Sequence, residues 1–176
     1  MTDPRTARTA AYCRRVRSSL VLLVPEADPL VDGFAHVTLL FPFVPAEELT
    51  PEIVARVRAQ LAGTPPLDLR FERTGRFPGV AYLAIADPAP VNALIATLAA
   101  AWPAYPPYGG VYREVIPHLT LKHVEGDDDA ALAAAEAAAA PHLPLRARVD
   151  AVTVLVEDAA GDWHAHARVP LTSPSS

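Results

Sequence analysis

At 176 residues the chain can build one sizeable core but is short for two ordinary domains, so residues 1–176 are read as a single domain of two lobes, with residues 1–17 as a helical or flexible extension. Hydrophobic residues make up 51% of the chain and charged ones 20%, a balance that excludes wholesale disorder. The formal net charge of -5 excludes a protein that coats nucleic acid along a basic face, so an RNA ligand would have to sit in a local cleft.

The single cysteine, Cys13, excludes an internal disulfide framework and any Cys-x-x-Cys metal or redox motif. Residues 1–19 carry several arginines and no continuous apolar stretch of the kind that secretion needs, and the apolar run 20–24 is too short to span a bilayer. A cytoplasmic protein without a membrane partner, acting as a monomer, is expected.

The elements follow in chain order. Residues 18–24 are apolar throughout and closed by Pro25, as in a buried strand. After a turn-rich loop, residues 34–43 read as a strand ended by Pro42 and Pro45. Thr50, Pro51 and the apolar stripe Ile53, Val54, Val57 and Leu61 predict a helix that Gly63 stops. Strands are expected at residues 67–72 and 80–86, separated by Gly75 and the Pro78-Gly79 turn. A second helix opens at Asp87-Pro88 and closes at Pro103, and residues 105–110 form a loop.

Residues 116–124 read as another strand. Asp127, Asp128 and Asp129 then lead into an alanine-rich helix, at the end where negative charge is favoured, so they need no metal to explain them. Residues 145–156 and 163–171 are expected as two strands around a turn at Gly161. Strands and helices interleave irregularly, with several connections too short for parallel crossovers. The pattern predicts an α+β protein with antiparallel β-sheets flanked by helices, each half carrying one similar polar-faced strand.

Those two strands carry the chemistry. His36-Val37-Thr38-Leu39 and His118-Leu119-Thr120-Leu121 each alternate polar and apolar residues. With a side-chain period of two, each His shares a strand face with its Thr while the aliphatic pair enters the core. Imidazole titrates near pH 6.5, so one histidine can accept a proton while the other donates one. The Thr38 and Thr120 hydroxyls suit charged phosphoryl oxygens. Lys122, the only lysine, shares the face of His118 and Thr120 if the alternation continues, and would neutralise phosphate.

Tyr105, Tyr108, Tyr112 and Arg113 gather in the loop before the second tetrad, where rings stack on bases and Arg113 reaches phosphate. Arg73 and Arg76 are further candidates for a substrate-facing patch. His164 and His166 share one strand face at a spacing that can serve a metal, but no carboxylate or cysteine pattern accompanies them. His123 alternates away from His118, and His142 reads as loop.

The paired tetrads, the run 34–43 and the proline before the second tetrad are similar to those of the two-histidine (2H) phosphoesterase superfamily, especially its bacterial RNA 2′,3′-cyclic phosphodiesterases, also called 2′-5′ RNA ligases. The resemblance extends from about Ser18 to Leu171. It implies a bilobal fold with pseudo-twofold symmetry around a central cleft lined by both tetrads. It also implies hydrolysis or formation of phosphodiester bonds at ribose 2′ positions, on RNA ends or small nucleotides. His36 and His118 would be catalytic; Thr38, Thr120, Lys122, Tyr112 and Arg113 would bind substrate. No metal or cofactor is called for. The competing expectation is a non-catalytic nucleotide or RNA-end binding module with the same cleft.

Overall fold

In the computed structural model, residues 17–126 and 128–173 are described. Among the described residues, eight strands alternate with three α-helices and short 3-10 turns: β1 (Ser18–Leu23), β2 (His36–Leu40), α1 (Pro51–Leu61), β3 (Leu67–Phe77), β4 (Val80–Ile85), α2 (Ala89–Ala101), β5 (His118–His123), α3 (Asp129–Ala139), β6 (Leu145–Val149), β7 (Ala151–Glu157) and β8 (Trp163–Pro170). The strands form one antiparallel sheet in the order β6-β3-β4-β5-β2-β1-β7-β8. The α+β architecture with flanking helices is therefore as expected. The two sheets anticipated from sequence are its two four-stranded halves, which join where β2 meets β5 through the single pair Val37↔Leu119.

Alternation decides which face is which. Val37, Leu39, Leu119 and Leu121, all at most 4% exposed, enter one cluster with Leu83 and Phe71 of the sheet and Val57, Leu61, Leu98 and Leu132 of the helices. Full burial of each such side chain contributes about 1.5–3 kcal/mol, so both tetrad-bearing strands are anchored from beneath by their aliphatic members. His36, Thr38, His118 and Thr120 are half-buried on the opposite face.

Three strand boundaries differ from expectation. Residues 145–156 are not one strand: β6 pairs with β3 at one end of the sheet, and β7 pairs with β1 near the other. The chain parts at Asp150, whose carbonyl accepts from the Leu171 backbone and whose side chain accepts from Arg168. The reason is visible in burial, because β6 alternates buried and exposed residues whereas β7 is buried almost throughout. Strand β3 runs on to Phe77, past Gly75, which is not a turn residue here. The strand expected over residues 34–43 is confined to its central five residues.

Helix starts follow the expected chemistry with one change. The Asp128 carboxylate accepts from the Ala131 backbone and caps α3, as an aspartate at a helix start should. Asp127 lies outside the described residues, as do Cys13 and the extension over residues 1–16. Thr50 makes no side-chain cap at α1. Among the described residues no helix is long and apolar enough to cross a membrane.

Candidate active site

The Val37↔Leu119 pair sets the geometry of the site. In antiparallel register, the residues on either side of that pair face each other as His36 with Thr120 and Thr38 with His118. The two imidazoles are thus diagonal neighbours on one sheet face, at the distance of about 7–8 Å that the diagonal relation gives between strand positions. Each hydroxyl stands across from the histidine of the other tetrad.

The rings are held alike. His36 Nδ1 lies 3.2 Å from the carbonyl oxygen of Phe34, and His118 Nδ1 lies 2.8 Å from that of Ile116, in both cases the residue two positions earlier. A carbonyl can only accept, so Nδ1 carries the proton and Nε2 of each neutral ring keeps its lone pair free of that bond. Burial lowers the pKa of His36, opposed in part by the Phe34 carbonyl. Burial also lowers that of His118, opposed by the Ile116 carbonyl and reinforced by the charge of His36. Each proton bound therefore disfavours the next, and the pair favours states with at most one imidazolium.

Aromatic side chains wall the site. Phe34 packs beside His36 with ring centroids 5.5 Å apart. Phe77 and Tyr82 stack on each other at 4.4 Å and present themselves to His118 at 5.0 and 5.2 Å. Tyr82 reaches this position because its cross-strand partner is Gly75: a Cβ there would lie 2.5 Å from the ring. None of Phe34, Phe77 or Tyr82 was a sequence candidate. The signal for Tyr82 was available in its strand parity, had β3 been read as continuing through Gly75.

From the loop after α2, Tyr108 shares a hydrogen bond with Thr38, while burial raises the pKa of its phenol. Its backbone is left-handed, with φ 51°, as are Gly109 and Gly110 at 64° and 74°. A non-glycine residue in that region carries conformational strain, which persists only where surrounding contacts demand it. Here the demands are the Thr38 contact and a bond from the Tyr108 backbone to the Phe41 carbonyl.

The remaining candidates lie around this centre. Alternation past Thr120 does not run on undisturbed, because the β4–β5 register slips between Tyr82 and Ala81. Lys122 is paired with Ala81, and its ammonium donates to Asp32 at 2.9 Å. Tyr112 is 62% exposed beside Tyr108, with centroids 5.6 Å apart, and Arg113 is exposed next to it. Tyr105 instead packs on Phe43, away from the tetrads. Arg76 is drawn to α3, where it binds Glu136 at 2.7 Å and Asp129 at 3.0 Å.

Arg73 lies on the cleft face of β3. His123 is exposed, His142 lies in a short 3-10 turn, and His164 and His166 are exposed on β8. Among the described residues no three His, Cys, Asp or Glu side chains gather as a metal site.

The model of the 2′-5′ RNA ligase superfamily matches residues 9–161. The chain belongs to that superfamily. No curated protein matches it in sequence. Among solved structures, TT0787 of Thermus thermophilus is similar at 18% identity and a TM-score of 0.62, over 89% of this chain and 98% of that one. LigT of E. coli complexed with 3′-AMP is similar at 18% identity and a TM-score of 0.59, over 91% and 100% of the two chains. Its complex with NADP+ shows 17% identity and a TM-score of 0.59, over 90% and 99%. At these identities the likeness is one of fold.

Proposed function

We propose that the chain is a metal-independent phosphodiesterase that opens ribose 2′,3′-cyclic phosphates, or cleaves 2′-5′ phosphodiester bonds, at RNA ends or on small nucleotides. Superfamily membership supports a phosphodiesterase-type enzyme. The observation that carries the finer reading is the pair of half-buried imidazoles on one sheet face, each with Nδ1 committed to a backbone carbonyl. The E. coli relative has been solved in complex with 3′-AMP and with NADP+, which supports a nucleotide-type ligand for this chain.

Hydrolysis needs two proton transfers. One neutral histidine takes a proton through Nε2 from water as its oxygen bonds to phosphorus, and the other, as imidazolium, gives its Nε2 proton to the departing ribose oxygen as the P–O bond breaks. The product is a phosphomonoester and a free ribose hydroxyl, and exchange with solvent resets the two rings. Thr38 and Thr120 donate to the nonbridging oxygens, with Tyr108 orienting Thr38. Tyr112 and Arg113 contact the nucleotide at the rim, and Lys122 serves the phosphate when it leaves Asp32. The protein works as a single 1–176 unit, as a monomer and without a cofactor.

The test is turnover of nucleoside 2′,3′-cyclic phosphates and 2′-5′-linked dinucleotides in EDTA, followed across pH. The expected result is a bell-shaped kcat/KM profile for at least one substrate, with one limb lost in each of His36→Ala and His118→Ala. Tight nucleotide binding by the wild-type protein with no product at any pH would overturn it.

A further inference from the structure

The sheet face that carries the two histidines continues outward from β5 across β4 and β3 to β6, and it becomes basic as it does so. Ala84 stands between His118 on one side and Arg73 on the other in the cross-strand register. At a strand spacing of about 4.8 Å, Arg73 lies roughly 10 Å from His118 at the backbone, within reach of an extended arginine.

The side of the sheet follows from two neighbours. Arg76 binds α3 on the helix face, and Gly75 and Phe77 lie under Tyr82 and beside His118 on the other. Arg73, two residues from Gly75, is on the cleft side by alternation. Ala84 offers only a methyl group between Arg73 and His118.

Farther out, Arg70 of β3 faces Arg146 of β6 directly, both exposed. Like charges placed opposite each other destabilise a sheet, and Arg70's exposed pair with Glu72 offsets this only weakly. Among the described residues, most other cations have carboxylate partners: Arg76, Lys122, Arg148, Arg168 and Arg17 are all in ion pairs. In a chain of net charge -5, a row of arginines leading to the histidines calls for an anion.

We propose that Arg73, followed by Arg70 and Arg146, is a phosphate track that holds the strand of single-stranded RNA leading up to a terminal 2′,3′-cyclic phosphate. The inference rests on the phosphodiesterase reading above and specifies its substrate as an oligonucleotide end rather than a lone nucleotide. Arg73 takes the phosphate next to the reacting one; Arg70 and Arg146 take those beyond.

The test compares kcat/KM for a nucleoside 2′,3′-cyclic phosphate with that for a tetranucleotide ending in the same group. Wild-type protein is expected to prefer the tetranucleotide. Arg73→Gln lowers that preference at least tenfold and flattens the dependence of tetranucleotide affinity on salt by about 0.7 in log–log slope, as loss of one single-strand phosphate contact does. Arg146→Gln lowers the preference by less, and Arg58→Gln, on exposed α1, leaves it unchanged. A tetranucleotide preference and salt slope identical in wild-type, Arg73→Gln and Arg146→Gln proteins would overturn the track. If the wild-type protein cleaves neither substrate, it is the underlying reading that fails.

Discussion

Gly75 and Tyr82 face each other across β3 and β4, and the phenol ring occupies the space a Gly75 side chain would need. The ring in turn stacks on Phe77 and flanks His118. A backbone without a Cβ on one strand thereby fixes the wall of the site two strands away.

Substitution of this glycine should separate activity from stability. Gly75→Ala makes the new Cβ meet the outer end of the Tyr82 ring, which can swing aside, and the φ at this position is not left-handed. The expected change in unfolding free energy is within about 1 kcal/mol. The displaced ring no longer supports His118, and misplacement on the order of 1 Å can lower activity about 10²-fold. Denaturant unfolding and steady-state turnover of the same variant measure both; unchanged turnover would show that the ring does not position His118.

Tyr108 tests the orientation of Thr38. Tyr108→Phe keeps the ring and the left-handed backbone but removes the hydroxyl shared with Thr38. Loss of one such hydrogen bond, net about 0.5–1.5 kcal/mol, lowers kcat about three- to tenfold with less effect on KM. An equal fall in activity and thermal midpoint would point instead to a structural role.

The histidines also predict how stability responds to acid. In the folded state both hold their protons more weakly than in an unfolded chain, where the value is near 6.5. Below about pH 6.5 the unfolded chain therefore binds more protons, and the fold loses stability as pH falls toward the lowered folded values. Stability attributable to these groups is fully present above that range. Replacing both by glutamine should flatten the decline between pH 7 and pH 5, measured by urea unfolding; equal slopes would mean the rings are not desolvated.

How far the fold and site can be read from sequence depends on burial pattern. The tetrads were legible because His and Thr at alternate positions, with aliphatic residues between, admit one arrangement on a half-buried strand. The break at Asp150 was harder: alternation in β6 and continuous burial in β7 are both strand patterns, and only their pairing with opposite ends of the sheet separates them. Gly75 read as a turn because the large residue filling its place, Tyr82, comes from the neighbouring strand. Lys122 was assigned by an alternation that a one-residue register slip interrupts. Tyr108 contacts Thr38 through a left-handed turn that no local periodicity announces.

In the proposed mechanism His36 and His118 act as one acid–base pair. The most direct measurement of this is product formation from a nucleoside 2′,3′-cyclic phosphate, in EDTA, by wild-type protein, both single His→Ala variants and the double variant, each shown to be folded. Either single substitution is expected to cost nearly as much as both together, because a proton acceptor without its donor does little. Undiminished turnover by the His36→Ala, His118→Ala double variant would contradict it.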